Sequence, residues 1–95
     1  MELMFCHCIG LTILDLSEFD TSNVSNMSYM FCGCYNLEVL DLSGFDTTSV
    51  KDIHGIFQEC NALKKVYLTG CNSETINKIK EQIENARLAN VEIIY

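Results

Sequence analysis

Proline is absent from the 95 residues, and no lysine or arginine stands before Lys51. With no proline, 48% hydrophobic side chains and 20% charged, the chain is too apolar for disorder, and its length excludes two ordinary domains. The acids Glu2, Asp15, Glu18, Asp20, Glu38, Asp41 and Asp46 therefore meet no base, and the first half carries the whole net charge of −7. From Lys51 onward, Lys51, Lys64, Lys65, Lys78, Lys80 and Arg87 balance six acids. A chain without clustered cations cannot displace counterions from phosphates, so nucleic acid is excluded as a partner, and adsorption to anionic lipid is disfavoured. No apolar run approaches the roughly 18 residues of a membrane span, which excludes membrane insertion by a helix. Met1-Glu2-Leu3-Met4 has no basic region of the kind that opens a secretory signal. The five glycines (Gly10, Gly33, Gly44, Gly55, Gly70) are too scattered to form a phosphate loop.

What the chain does have is a 26-residue repeat. Residues 4–29 align with residues 30–55 at thirteen of 26 positions, and residues 56–81 keep the chemical type at most apolar positions. The columns are Phe5/Phe31/Phe57, Cys8/Cys34/Cys60, Leu11/Leu37/Leu63, Leu14/Leu40/Val66, Leu16/Leu42/Leu68, Phe19/Phe45/Cys71, Val24/Val50/Ile76 and Met27/Ile53/Ile79. Each L-x-x-L-x-L stretch ends in strict alternation, which predicts a short strand with one buried face. The apolar residues that follow, such as Val24, Met27, Met30 and Phe31, recur at three and four residues, which predicts a helix in each copy. Asp20, Asp46 and Asn72, followed by Thr21, Thr47 and Ser73, are placed to cap those helices. A strand and a helix that cannot bury their faces alone predict a solenoid, in which burial comes from stacking neighbours.

The ends differ from the middle. Met1 falls in the column of Met27 and Ile53, so the chain is expected to begin inside a helix, leaving an open N-terminal end that offers a self-association surface. Ile76, Ile79, Ile83 and Ala86 lengthen the third helix, and Leu88, Val91 and Ile93 repeat the strand spacing one residue early. Residues 82–95 thus read as a C-terminal cap with a fourth strand, completing a single repeat domain over 1–95.

Met4-Phe5 with Cys8, Leu14-Asp15-Leu16-Ser17 and Phe19-Asp20-Thr21 recur as Met30-Phe31 with Cys34, Leu40-Asp41-Leu42-Ser43 and Phe45-Asp46-Thr47. This pattern resembles the BspA-type leucine-rich-repeat surface proteins of bacteria, whose repeats also occur in mycoplasma lipoproteins. The resemblance covers residues 4–79. It implies an α/β fold, a leucine-rich-repeat-like solenoid with a parallel sheet of about four short strands and one helix per repeat. It further implies a secreted or cell-surface location and a role in binding host or neighbouring-cell macromolecules.

Cys6-His7-Cys8 and Cys32-Gly33-Cys34 bear metal-ligand residue types, but the C-x-C spacing departs from C-x(2–4)-C, and His7 gives way to Gly33 and Glu59 in its column. Cysteine as a small buried hydrophobe filling a narrow turn is the stronger reading, ahead of a Cys8–Cys34 disulfide or zinc. His54, in the column of Ser28, is expected on the surface without a partner. Ser17 and Ser43 belong to the repeat, with neither histidine expected on their side, so no nucleophile, base and orienting group converge. The expectation is a protein that is no enzyme and takes no cofactor or metal.

If Leu14 and Leu16 point inward, two outward columns remain on the strands: Ile13, Val39 and Lys65, and Asp15, Asp41 and Tyr67. These six form the candidate binding face, with the aspartates selecting a basic protein or other macromolecule by charge. A purely structural segment of a longer array is the alternative, and a cysteine-based metal or redox protein a third.

Overall fold

A computed structural model of the chain describes residues 2–95; the expected place of Met1 in a helix column lies outside them. Among the described residues four short strands, β1 (Ile13–Asp15), β2 (Val39–Asp41), β3 (Lys65–Tyr67) and β4 (Glu92–Ile94), form one parallel sheet in the order β1-β2-β3-β4, and one helix, α1 (Ser73–Asn85), joins β3 to β4. The class is therefore α/β. Leu14 pairs with Leu40 and Leu40 with Val66, so each strand turns the same residue type inward at the spacing of the sequence repeat.

The fourth strand departs from its expected register. Ile93, not Val91, stands opposite Val66, and Ile94 stands opposite Tyr67. The extra length is taken up after α1, where Arg87 (φ 58) and Asn90 (φ 62) are left-handed. Arg87 N–H donates to the Glu84 carbonyl at 3.0 Å and Leu88 N–H to that of Ile83 at 3.4 Å, the two bonds of a Schellman ending. A shift of two residues preserves the face each side chain points to. Ile93 thus still packs against the core, beside Leu88 and Val91.

The expected helix in every copy is replaced in the first two by successive turns. Alternate N–H groups there donate sideways: Phe5 to Met30 O (2.8 Å), His7 to Cys32 O (2.8 Å), Phe31 to Ile56 O (3.1 Å) and Gly33 to Gln58 O (2.8 Å). The intervening N–H groups close local turns, as Cys34 does on Phe31 O at 3.1 Å. Two left-handed positions four residues apart, Leu3/Tyr29/Gly55 and His7/Gly33/Glu59, interrupt any α-helix. The apolar three-and-four spacing is real, yet serine, asparagine and glycine between those residues give the backbone little helix propensity. In the third copy Glu74, Lys78, Lys80, Glu81, Gln82 and Glu84 supply that propensity, and α1 buries Thr75, Ile79 and Ile83.

Capping divides in the same way. Asn72 Oδ1 accepts from Thr75 N–H at 2.8 Å and caps α1. Asp20 and Asp46 cap no helix; each accepts from the N–H and hydroxyl two residues on, Ser22 and Thr48, in a side-chain-closed turn.

The core runs the length of the sheet. The rings of Phe5, Phe31 and Phe57 stack at centroid distances of 5.8 and 5.9 Å with planes 10° apart. Phe31, Cys34, Leu37 and Leu40 are fully buried because copies lie on both sides of them, whereas Phe5, Cys8, Leu11 and Leu14 are only partly buried. Phe19, expected in the Phe45 column, is exposed at 40% for the same reason. A fully buried phenylalanine of this kind contributes about 3–5 kcal/mol relative to alanine.

Candidate functional site

The sheet's outer face is built by the registers just described. Ile13, Val39, Lys65 and Glu92 form one ladder across the four strands, and Asp15, Asp41, Tyr67 and Ile94 form the other. All six residues proposed from the sequence thus share one face, joined by Glu92 and Ile94. Their cross-strand partners were missed, because the expected register, two residues away, sets Glu92 and Ile94 on this same face but opposite Tyr67 and Thr69. The signal that could have found them is the need to spend extra residues ending α1.

The two ladders run in opposite senses: the first passes from apolar at β1, where Ile13 is 66% exposed, to charged at Lys65 and Glu92, and the second from the carboxylates Asp15 and Asp41 to Tyr67 and Ile94. Lys65 Nζ lies 4.0 Å from Glu92 Oε1, and beside the face Lys64 Nζ donates to Glu38 Oε1 at 2.9 Å. Parallel neighbours place Asp15 beside Asp41, where like charges repel. Each finds a local donor instead: Ser17 N–H to Asp15 Oδ1 and Ser43 N–H to Asp41 Oδ1, both 2.9 Å. The hydroxyl and N–H of Ser17 hold the Asp15 carboxyl below its ordinary range, so it remains an exposed anion at neutral pH. The aspartates therefore have a turn-forming role before any role toward a partner.

The cysteines pack. All six are free thiols. Cys34 Sγ donates to Phe5 O and Cys60 Sγ to Phe31 O, each at 3.0 Å, so one cysteine column ties each turn segment to the one before it. Desolvation pushes the Cys60 thiol up to about 12 and raises Cys34 in the same direction, keeping both protonated as donors. Among the described residues no three His, Cys, Asp or Glu side chains gather as a metal group. His54 is on the surface as expected but is not solitary: Asp52 contacts its Nδ1, and Tyr29 meets its ring edge-on at 4.9 Å between centroids.

A second concavity lies away from the sheet face. A groove of about 420 Å³ separates residues 54–61 from the C-terminal end of α1, with Tyr29, Phe57 and Glu59 on one wall and Gln82, Asn85 and Arg87 on the other. Nothing in the sequence pattern marked it, because it arises where α1 fails to lie down as a further turn segment.

Residues 1–94 match the model of a family described as Mycoplasma protein of unknown function, DUF285. The chain belongs to this family. Membership in DUF285 agrees with the mycoplasma side of the resemblance seen in the repeat, and it assigns no activity. No curated protein and no solved structure matches the chain. No helix among the described residues is long and apolar enough to cross a membrane.

Proposed function

We propose that this DUF285 chain is a leucine-rich-repeat-like solenoid of the BspA surface type, and that its outer sheet face binds a protein or other macromolecule without catalysing a reaction. The solenoid reading is supported by two sets of hydrogen bonds sharing one shift of about 26 residues: the strand ladder and the sideways bonds of the turn segments. The binding reading rests above all on the two continuous ladders, Ile13/Val39/Lys65 and Asp15/Asp41/Tyr67. They offer exposed apolar area, one aromatic and two carboxylates on a scaffold of paired backbone, a rigid setting for side-chain contacts.

The test is affinity capture from bacterial and host-cell extracts with the intact chain beside the double variant Asp15→Lys/Asp41→Lys. A specific partner should be retained by the first and lost by the second. Equal retention would show that the sheet face is not the binding surface.

A second reading has its own support. Glu2, Met4 and Cys6 carbonyls accept no hydrogen bond from any described residue, and Leu3 and Met4 are 51% and 49% exposed. The face they occupy matches the one that copy 1 itself covers on copy 2, so it suits another repeat copy, as in self-association or a longer array. Light scattering at rising concentration tests self-association; a strict monomer counts against it.

A further inference from the structure

The groove beside α1 carries a row of hydrogen-bond donors with nothing to donate to. In the first two turn segments the N–H groups of Phe5 and His7, then of Tyr29, Phe31 and Gly33, reach the carbonyls of Met30, Cys32, His54, Ile56 and Gln58 on the following segment. The same positions 26 residues on are Gly55, Phe57 and Glu59. Their N–H groups meet no backbone or side-chain acceptor among the described residues, because α1 has replaced the segment that would have supplied it. By the translation relating the segments, these donors point toward α1, and all three residues line the groove.

We propose that this groove binds an extended peptide segment of a partner protein, whose alternate carbonyls accept from Gly55, Phe57 and Glu59 and whose acidic side chain is held by Arg87. Main-chain carbonyls fit because the molecule already satisfies the equivalent donors twice in that way, and addition of a strand-like segment to an open row of backbone groups is a recognised mode of peptide capture. The acidic side chain follows from Arg87. It lines the groove, and no salt bridge among the described residues engages it. Glu59, the acid on the opposite wall, accepts from the Tyr35 hydroxyl at 2.9 Å through one oxygen, Oε2, which draws that carboxylate toward Tyr35. Amide side chains of Gln58, Asn61, Gln82 and Asn85 can pair with the remaining polar groups of a peptide, and a groove of about 420 Å³ admits only a few residues. This site is independent of the sheet face, so the failure of either leaves the other standing.

A random heptapeptide library displayed on phage, selected on the full chain, tests it. Enriched peptides should carry aspartate or glutamate. Titrated as synthetic peptides into nitrogen-15-labelled protein, they should shift the amide signals of Gly55, Phe57 and Glu59 and leave those of Phe31 and Gly33, which do not line the groove, in place. Arg87→Gly should weaken them by about tenfold or more, the loss expected of a charge-assisted hydrogen bond. Because Arg87 sits at φ 58 at the end of α1, glycine there suits the backbone, and a dispersed amide spectrum will confirm that the variant is folded. No enriched peptides, amide shifts confined to another face, or unchanged affinity in Arg87→Gly would each overturn the proposal.

Discussion

The thiol of Cys60 donates to the carbonyl oxygen of Phe31 at 3.0 Å, and Cys34 does the same to Phe5. The cysteine column is thus a column of cross-segment hydrogen bonds as well as of small apolar side chains. In the folded chain Cys60 holds its proton up to about pH 12, whereas an unfolded thiol loses it near its ordinary value of 9.0. Above pH 9 the unfolded state therefore binds fewer protons than the folded one, and stability falls as pH rises from there toward 12. Urea melts between pH 8 and 11 should show this decline, no steeper than ~1.4 kcal/mol per pH unit for one thiol. Cys60→Ala should make it shallower, leaving the contributions of Cys34, Cys32 and Cys71, whose thiols burial also raises.

Gly33 and Gly55 make a second kind of contact between segments. Both have positive φ, 73° and 69°, and a methyl on either would fall 2.4 Å from a ring atom, His7 Nδ1 and Tyr29 Cε1 respectively. Gly55→Ala should lower stability in chemical melts by about 1–3 kcal/mol, combining left-handed strain with the displaced ring. His7→Ala/Gly33→Ala should lose less than the sum of its single changes, since removing the ring leaves only the backbone cost, about 1 kcal/mol.

The capping column predicts a difference between copies. Asn72→Ala removes the Oδ1 that receives Thr75 N–H and should cost about 1 kcal/mol, with a loss of helical circular dichroism. Asp46→Ala removes only a turn closed on Thr48, and the helical signal should be unchanged. Equal loss of helical signal in both would restore the expectation of a helix in each copy.

How much of this was readable from the residues depends on which bond type decided each element. Leu14, Leu40 and Val66 alternate with outward residues, and period two has one structural meaning, so β1 to β3 and their face could be placed from sequence alone. Met27, Met30 and Phe31 follow helical spacing for a different reason: the turn segments bury residues at similar intervals while donating alternate N–H groups sideways. Spacing of apolar residues cannot distinguish i→i−4 bonding from bonding to a neighbouring copy; Tyr29 and Gly33 as left-handed residues decide it, and tyrosine gives no warning of that. The register of β4 was hidden likewise in Arg87 and Asn90, whose left-handed conformations consume chain without altering the apolar pattern. The groove follows from both failures, since it exists only where α1 meets a segment that is not a helix.

The last prediction concerns acid. Asp20 and Asp46 are held below the ordinary carboxylate range, Asp20 by the Ser22 hydroxyl and N–H and Asp46 by those of Thr48; Asp15 is held likewise by Ser17. A depressed folded pKa means that the folded chain gives up protons more readily than the unfolded one. Each carboxylate therefore contributes stability above the ordinary aspartate value of 3.8, and that stability is lost as pH falls below it. Asn26 offers a natural control: it closes the same turn on Ser28, with Oδ1 2.9 Å from the N–H and 2.7 Å from the hydroxyl, and carries no charge. Asp15→Asn/Asp20→Asn/Asp46→Asn should thus fold with its turns intact and lose less stability than the parent between pH 5 and pH 2, measured by urea melts at each pH. Parallel acid profiles in parent and variant would mean that these turns are not held by their charge.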